Sequence, residues 1–335
     1  MATAEASAKE LAPTTELPIR TGSDSADFDI VATYHSLLKS DPDLTKPVAA
    51  INALIALLNT VPSTTVYETL DIIKAHSERL KASVENPIPL AAGTDLFNQY
   101  IMSSLKQQDG SFDAVRQHLL RNGRLFAQRA VEARNGVAEA GWRYVTEGST
   151  VLTHGASRSV TGLLARAARS RPGKFKVVYV RDEWRPKESD RVVGELRQLG
   201  IPTAEIDLAT VAHVMASLRR VSMVIVGAEV VTQSGGIISR MGSYQIAKLA
   251  RSSNIPFYVA GETHKFSRIF LHDQNKLGFK QSVLDFRLEG SSSHLENPVD
   301  FTPPDLISQL ITENGVKLPS YVVEQILDIY GSLNG

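Results

Sequence analysis

The spacing of apolar positions changes once along this chain, near residue 148. Before that point it is helical. In DPDLTKPVAAINALIALLNT, Val48, Ile51, Leu54, Ile55 and Leu58 recur at three- and four-residue intervals, which puts them on one helix face, and Asp41 and Pro42 read as start signals. In STTVYETLDIIKAHSERLKASV, Ser63 or Thr64 is placed to cap and Val66, Leu70, Ile73 and Leu80 form the buried stripe. A third helix is expected from about Gly93 to Leu105. A fourth runs from Phe112 to Glu139 and carries Arg116, Arg121, Arg124, Arg129 and Arg134. Helices joined by short connections make a bundle.

After Gly148 the pattern becomes short Val- and Ile-rich runs, TVLTH, KVVYV, TAEID, MVIVGAE and PFYVAG, separated by amphipathic stretches. Strand and helix alternating at that spacing predict βαβ units. The expected fold class is therefore α/β: an N-terminal helical bundle domain over residues 28–145, then a doubly wound, mainly parallel Rossmann-like sheet domain over 146–335. The tail FTPPDLISQLITENGVKLPSYVVEQILDIYG is expected to add closing helices. Residues 1–27, rich in Ala, Ser and Thr and carrying Glu5, Glu10, Glu16 and Asp24, read as a disordered tail rather than a signal or transit peptide.

Composition narrows the function. The 36 basic residues match 36 acidic ones, so nothing argues for non-specific binding to nucleic acid or to an anionic membrane. No apolar run approaches the ~18–20 residues that span a bilayer, and a cytosolic protein is expected. With no cysteine there is neither a disulfide, a thiolate metal site nor a thiol nucleophile. HGASRS departs from a nucleophile elbow because Ser159 stands where the closing glycine belongs. Neither a Walker loop nor G-x-G-x-x-G follows the first strand, and the eight histidines lack metal-ligand spacing.

In a parallel sheet the loops leaving the carboxyl ends of the strands converge on one rim. The turn after TVLTH, with His154, Gly155, Ser157 and Arg158, offers backbone N–H groups at a helix start. SGGIISRMGS offers Gly235, Gly236 and Arg240, and Arg185 and Lys265 add charge. These residues, with Glu229, form the candidate site for a phosphate-bearing ligand. His154 reads either as a hydrogen-bonded strand end or as a base.

The segments VLTHGASRSV, VIVGAEVVTQSGGIISRMGSYQIAKLA, PFYVAGETHKFSRIF and FTPPDLISQLITENGV resemble one family. It unites sugar-phosphate aldose–ketose isomerases, acting on methylthioribose-1-phosphate and ribose-1,5-bisphosphate, with the regulatory subunits of eukaryotic translation initiation factor 2B. The likeness spans about residues 28–335 and runs furthest to the alpha-type regulatory subunits. It implies that two groups handle proton transfer in the isomerases, a cysteine after Thr-His and an aspartate after Gly-Ala; here Gly155 and Glu229 stand there. Ser239-Arg240 replaces an Asn-Lys pair.

The resemblance therefore implies a non-catalytic regulatory subunit of the guanine nucleotide exchange factor for initiation factor 2. Such a subunit forms a homodimer through its α/β domain and joins two subcomplexes into a decamer. With the beta and delta regulatory subunits it senses the phosphorylated alpha subunit of initiation factor 2. Thr65 and Glu68, on the face opposite Val66, Leu70 and Ile73, are the candidates for that surface. The resemblance implies no cofactor, while a sugar phosphate or nucleotide monophosphate remains an expected ligand. An active isomerase pairing His154 with Glu229 is the alternative.

Overall fold

The structure, a computed structural model, describes residues 28–331 apart from 42–43, 107–111, 218–220, 272, 275–276, 278, 280, 282–285, 287–294 and 296. The expectation for residues 1–27 lies outside the described residues.

Five helices come first: α1 (Ile30–Ser40), α2 (Lys46–Thr60), α3 (Val66–Ala82), α4 (Ile88–Lys106) and α5 (Phe112–Gly141). Asp29 caps α1, its carboxylate accepting from Val31 N and Ala32 N at 3.0 and 3.1 Å. Asp41, expected to open the next helix, instead closes this one in extended backbone, its N–H donating to Leu37 O. α2 opens at Lys46 with Pro47 in its first turn, where the missing donor costs nothing. It is buried almost all round, because α1, α3, α4 and α5 all pack on it.

Two helix readings shift. The cap of α3 is Thr65, not Ser63 or Thr64, and the buried face is Thr69, Ile73, Ser77 and Leu80, with Val66 and Leu70 half-buried. Small polar residues on that face hid its phase. α4 begins at Ile88 rather than Gly93. That glycine lies inside the helix, where a Cβ would stand 2.7 Å from the Pro47 carbonyl oxygen.

The second half builds β1 (Thr150–His154), α6 (Arg158–Ser170), β2 (Lys176–Val180), α7 (Pro186–Gln198), β3 (Thr203–Ile206), α8 (Val211–Ser217) and β4 (Met223–Gly227). There follow β5 (Val230–Val231), β6 (Ile237–Arg240), α9 (Ser243–Ser252), β7 (Phe257–Ala260), β8 (Val299–Thr302), β9 (Gln309–Thr312), β10 (Gly315–Lys317) and α10 (Tyr321–Gly331). The main sheet has the order β10-β9-β7-β4-β1-β2-β3, parallel except for β10. A smaller antiparallel sheet, β5-β6-β8, stands beside it.

Strand side chains alternate between two cores, as a two-residue period requires. Along β4, Met223 and Ile225 face α5, α6 and α7, while Val224 and Val226 face α8, α9 and α10. The sheet is thus covered on both faces. The tail departs from expectation: between Val299 and Lys317 it forms three strands and a single 3-10 turn at Pro304–Leu306, and only α10 is an α-helix. Ile307, Leu310 and Ile311 imitate helical spacing, yet Pro303 and Pro304 remove backbone donors and Gly315, at φ +101°, turns the chain into the β9–β10 hairpin.

Candidate functional site

The order of the main sheet reverses between β1 and β4, because β1 continues to β2 on one side and β4 to β7 on the other. The loops after those two strands therefore diverge and leave a crevice. A cavity of about 160 Å³ lies there, between the strand ends and the helical layer. Its floor is His154 to Ser159 and Gly227 to Glu229. Arg185, Glu188, Ser239, Arg240, Glu262 and Lys265 form its sides, and Thr45, Lys46, Pro47 and Pro89 close it from the starts of α2 and α4.

The turn after β1 is built on glycine. Gly155 has φ +74°, in the left-handed region, and a Cβ there would meet Arg240 Cγ at 3.0 Å. Ser157 then caps α6, accepting from Val160 N at 3.4 Å, and the start of that helix, Ser157 to Ser159, lines the crevice. Arg158 crosses to the helical layer and donates to Leu44 O at 3.1 Å. His154 is buried, with Nδ1 3.0 Å from Val180 O and Nε2 2.9 Å from Met241 O. Both ring nitrogens are thereby engaged by the backbone, which is the strand-end arrangement rather than that of a base open to a ligand.

Arg240 is the central cation. Only 7 % exposed, it donates from Nε to Asp182 Oδ2 at 2.8 Å. Its Nη1 lies 3.9 Å from Glu229 Oε1, and neither Nη1 nor Nη2 makes a hydrogen bond among the described residues. Buried guanidinium nitrogens in that state suit an anion. Glu229 is held from the other side by Asn86 Nδ2 at 3.2 Å. Arg185 is oriented by Asn297 Oδ1, 2.9 Å from its Nε, and by Glu188, 2.9 Å from its Nη1. Lys265 pairs with Glu262 at 2.8 Å. Burial alone would raise the pKa of Glu262, but the Lys265 ammonium and neighbouring donors outweigh it and hold the carboxyl well below its ordinary range. Ser159 Oγ donates to the same carboxylate at 2.8 Å.

Eight of the ten candidate ligand residues thus line one cavity: His154, Gly155, Ser157, Arg158, Arg185, Glu229, Arg240 and Lys265. Gly235 and Gly236 do not. They sit in the β5–β6 turn, where Gly235 has φ +84° and would collide through a Cβ with the Pro319 carbonyl, and Gly236 abuts Phe301. Their role is close packing. Thr65 and Glu68 lie off the cavity as well. Thr65 Oγ1 accepts from Glu68 N at 3.1 Å, and Glu68 Oε2 accepts from Thr64 N and Thr64 Oγ1 at 2.7 and 2.8 Å, so both residues belong to the start of α3.

Lys46, Asn86 and Glu188 escaped the sequence reading, and Asp182, in the rim loop after β2, was given no role in the site. Lys46 and Asn86 come from the helical half, and no local pattern connects them to the rim. Asp182 and Glu188 lie within or beside the rim segment after β2 and could have been found there. Burial is the largest influence on the Lys46 ammonium and lowers its pKa; Glu229 and Glu188 oppose this, while Arg185 and Arg240 reinforce it. Among the described residues no cluster of His, Asp and Glu could hold a metal ion, and no helix is long and apolar enough to cross a membrane.

A doubly wound sheet with a polar crevice at its switch point and a helical layer over it defines a Rossmann-like α/β protein. The particular family is specific: residues 39–319 match the Initiation factor 2 subunit family, and the chain belongs to it. It is 30 % identical over 325 residues to Translation initiation factor eIF2B subunit alpha of Dictyostelium discoideum, covering 92 % of this chain and 99 % of the relative. Its identity to the Caenorhabditis elegans protein of the same description is 27 %, covering 90 % and 98 %. A chain in the crystal structure of the tetrameric eIF2B-beta2-delta2 complex from C. thermophilum shares the fold, with a TM-score of 0.71 at 20 % identity over 91 % of this chain and 96 % of that one.

Proposed function

We propose that this chain is a non-catalytic regulatory subunit of the exchange factor for initiation factor 2, working through its surfaces, with a cavity that binds a sugar phosphate or a nucleotide monophosphate without transforming it. The observation that carries the second part is the pairing of Arg240 with Gly155. The guanidinium is buried with two nitrogens free of hydrogen bonds among the described residues, as an anion holder requires, whereas the residue beside it has no side chain to exchange a proton. The alternative, an isomerase using His154, is disfavoured because both imidazole nitrogens are engaged by carbonyl groups.

In this reading the chain forms a homodimer through its α/β half and bridges two subcomplexes containing the beta and delta regulatory subunits into a decamer. Support comes from exposed Leu318, just before α10, and exposed Val323 and Leu327 on that helix, apolar side chains left uncovered at the C-terminal end of the α/β half. The phosphorylated alpha subunit of initiation factor 2 is recognised by the helical half, with Thr65 and Glu68 presented at the exposed start of α3 beside an exposed Tyr67.

Thermal scans and sedimentation of the purified chain test both parts. A phosphorylated ligand at 100 times its dissociation constant stabilises the fold by ~2.7 kcal/mol. No shift across sugar phosphates and nucleotide monophosphates refutes the cavity reading. A monomer at micromolar concentration refutes the homodimer, and turnover of methylthioribose-1-phosphate or ribose-1,5-bisphosphate, lost on Glu229→Gln, establishes the isomerase instead.

A further inference from the structure

Five cationic side chains line the cavity: Lys46, Arg158, Arg185, Arg240 and Lys265. Four are engaged. Arg158 donates to Leu44 O, Arg185 to Glu188 and Asn297, and Arg240 to Asp182, while Lys265 is paired with Glu262. Lys46 has neither hydrogen bond nor ion pair among the described residues. It projects from the first turn of α2, in the part of the helical layer that closes the cavity.

We propose that Lys46 is a covalent modification site for the open-chain aldehyde form of an aldose phosphate, held as an imine in the cavity. This rests on the reading of the cavity as a sugar-phosphate site. The anion is held by Arg240 and the α6 start, which sets the carbonyl end of the sugar free to meet the amine. The Lys46 nitrogen lone pair adds to the carbonyl carbon, and the carbonyl oxygen takes up a proton to become a hydroxyl. The nitrogen then loses a proton, the C–N bond becomes double, and the hydroxyl leaves as water with a second proton. Glu229, which lines the same cavity, is the carboxylate that would carry the proton from nitrogen to the departing hydroxyl. The step is a condensation and needs neither oxidant nor reductant.

The chemistry requires a neutral amine, which an ordinary lysine supplies at neutral pH in only about one molecule in a thousand. Burial and two neighbouring guanidinium groups enlarge that fraction at Lys46, against Glu229 and Glu188. Lys265 has the opposite setting, paired at 2.8 Å with the buried Glu262 carboxylate. The two cavity lysines are therefore expected to behave differently.

The test is reductive trapping. The full chain is incubated at pH 7 with ribose 5-phosphate and cyanoborohydride, and the adducts are mapped by peptide mass spectrometry. Lys46 is expected to label about tenfold or more faster than exposed Lys74 and Lys187, because the cavity holds the sugar's carbonyl beside its amine. Excess inorganic phosphate should suppress that label without touching the other two, and unphosphorylated ribose should show a much smaller preference. In Lys46→Arg the preferred label should vanish. Labelling of Lys46 no faster than of Lys74, or insensitive to phosphate, overturns the proposal. Ribitol 5-phosphate, which has no carbonyl, separates the two layers. If it raises the unfolding temperature of wild type and Lys46→Arg while Lys46 stays unlabelled by ribose 5-phosphate, the imine fails and the cavity reading stands. If neither phosphate compound shifts the wild type, both fail.

Discussion

Restoring a side chain at Gly155 probes the turn on which the candidate site is built. Two costs can be separated. Placing a β-carbon at φ +74° costs about 1–2 kcal/mol, because left-handed backbone crowds Cβ against the carbonyl. The new atom also stands 3.0 Å from Arg240 Cγ, and Arg240 cannot swing away freely while its Nε is held 2.8 Å from Asp182. Forcing its stem about 30° off a rotamer adds about 0.5–1.5 kcal/mol. Gly155→Ala should therefore destabilise by about 2–3 kcal/mol, or several degrees in Tm at about 2–4 °C per kcal/mol for a large domain. Gly148→Ala is the internal control: its φ is +78°, but nothing lies within 4 Å of its Cβ, so it carries only the backbone cost. Urea unfolding and thermal scans of the two variants side by side give the difference. Equal losses would refute the contact with Arg240, and no loss at Gly155 would refute the left-handed turn. Gly155→Cys should behave like alanine in stability and should not confer isomerisation, since the turn that would present the thiol is itself displaced.

Arg240→Met leaves the Asp182 carboxylate, 3 % exposed, without its cation, and should cost about 3–5 kcal/mol in urea unfolding, part of which Asp182→Asn restores in the double variant. Thr65→Ala removes the cap of α3 and should cost about 1 kcal/mol. Glu68 acts in the same turn: the Thr64 backbone N–H, then the Thr64 hydroxyl, hold its carboxyl below the ordinary glutamate range. Its contribution is therefore complete above that ordinary range and is lost as pH falls through the lowered value, so Glu68→Gln should flatten the acid limb of the stability curve. Asp300 behaves in reverse. Burial pushes its pKa up to about 7, against the N–H groups of Tyr244 and Gly242 that its carboxylate accepts. The native state then binds a proton more tightly than the unfolded chain, and stability falls as pH rises from about 4 to about 7 and levels off above; a urea series on Asp300→Asn should lose that slope. Gly235→Ala should destabilise through its φ of +84° and the Pro319 carbonyl, yet leave any ligand-induced thermal shift intact, because the turn lies off the cavity.

What the sequence made legible follows from how local each signal is. The five strands β1, β2, β3, β4 and β7 and the long helices were readable because each is announced by its own local pattern, as in Val48 to Leu58 or along β4. The three tail strands were not, since β8 pairs with β6 and β9 with β7, across long stretches of chain, and no local pattern announces those partners. The site followed the same rule. Residues at strand ends, such as Gly155, Arg185 and Glu229, could be named because a parallel sheet brings its carboxyl ends to one rim. Gly235 and Gly236 misled because a glycine pair serves a tight turn as readily as a phosphate loop. Only the structure separates the two uses, by putting Pro319 and Phe301 against them.

Lys46 and Asn86, which escaped, matter with Arg158 for how the halves of the molecule act together. Arg158, from the start of α6, reaches the Leu44 carbonyl; Asn86, just before α4, reaches Glu229 at the end of β4. These hydrogen bonds join the helical layer to the rim at the cavity itself, with Lys46 between them. A ligand that touches Arg240 on one wall and Lys46 on the other gains contacts only while the two are docked, so its binding free energy also stabilises their union. α3 packs on α2 and α4, the two helices whose starts close the cavity. Occupancy of the crevice and the firmness of the surface at Thr65 and Glu68 are then linked quantities. The linkage is reciprocal: whatever immobilises α3 from outside must tighten the cavity by the same factor.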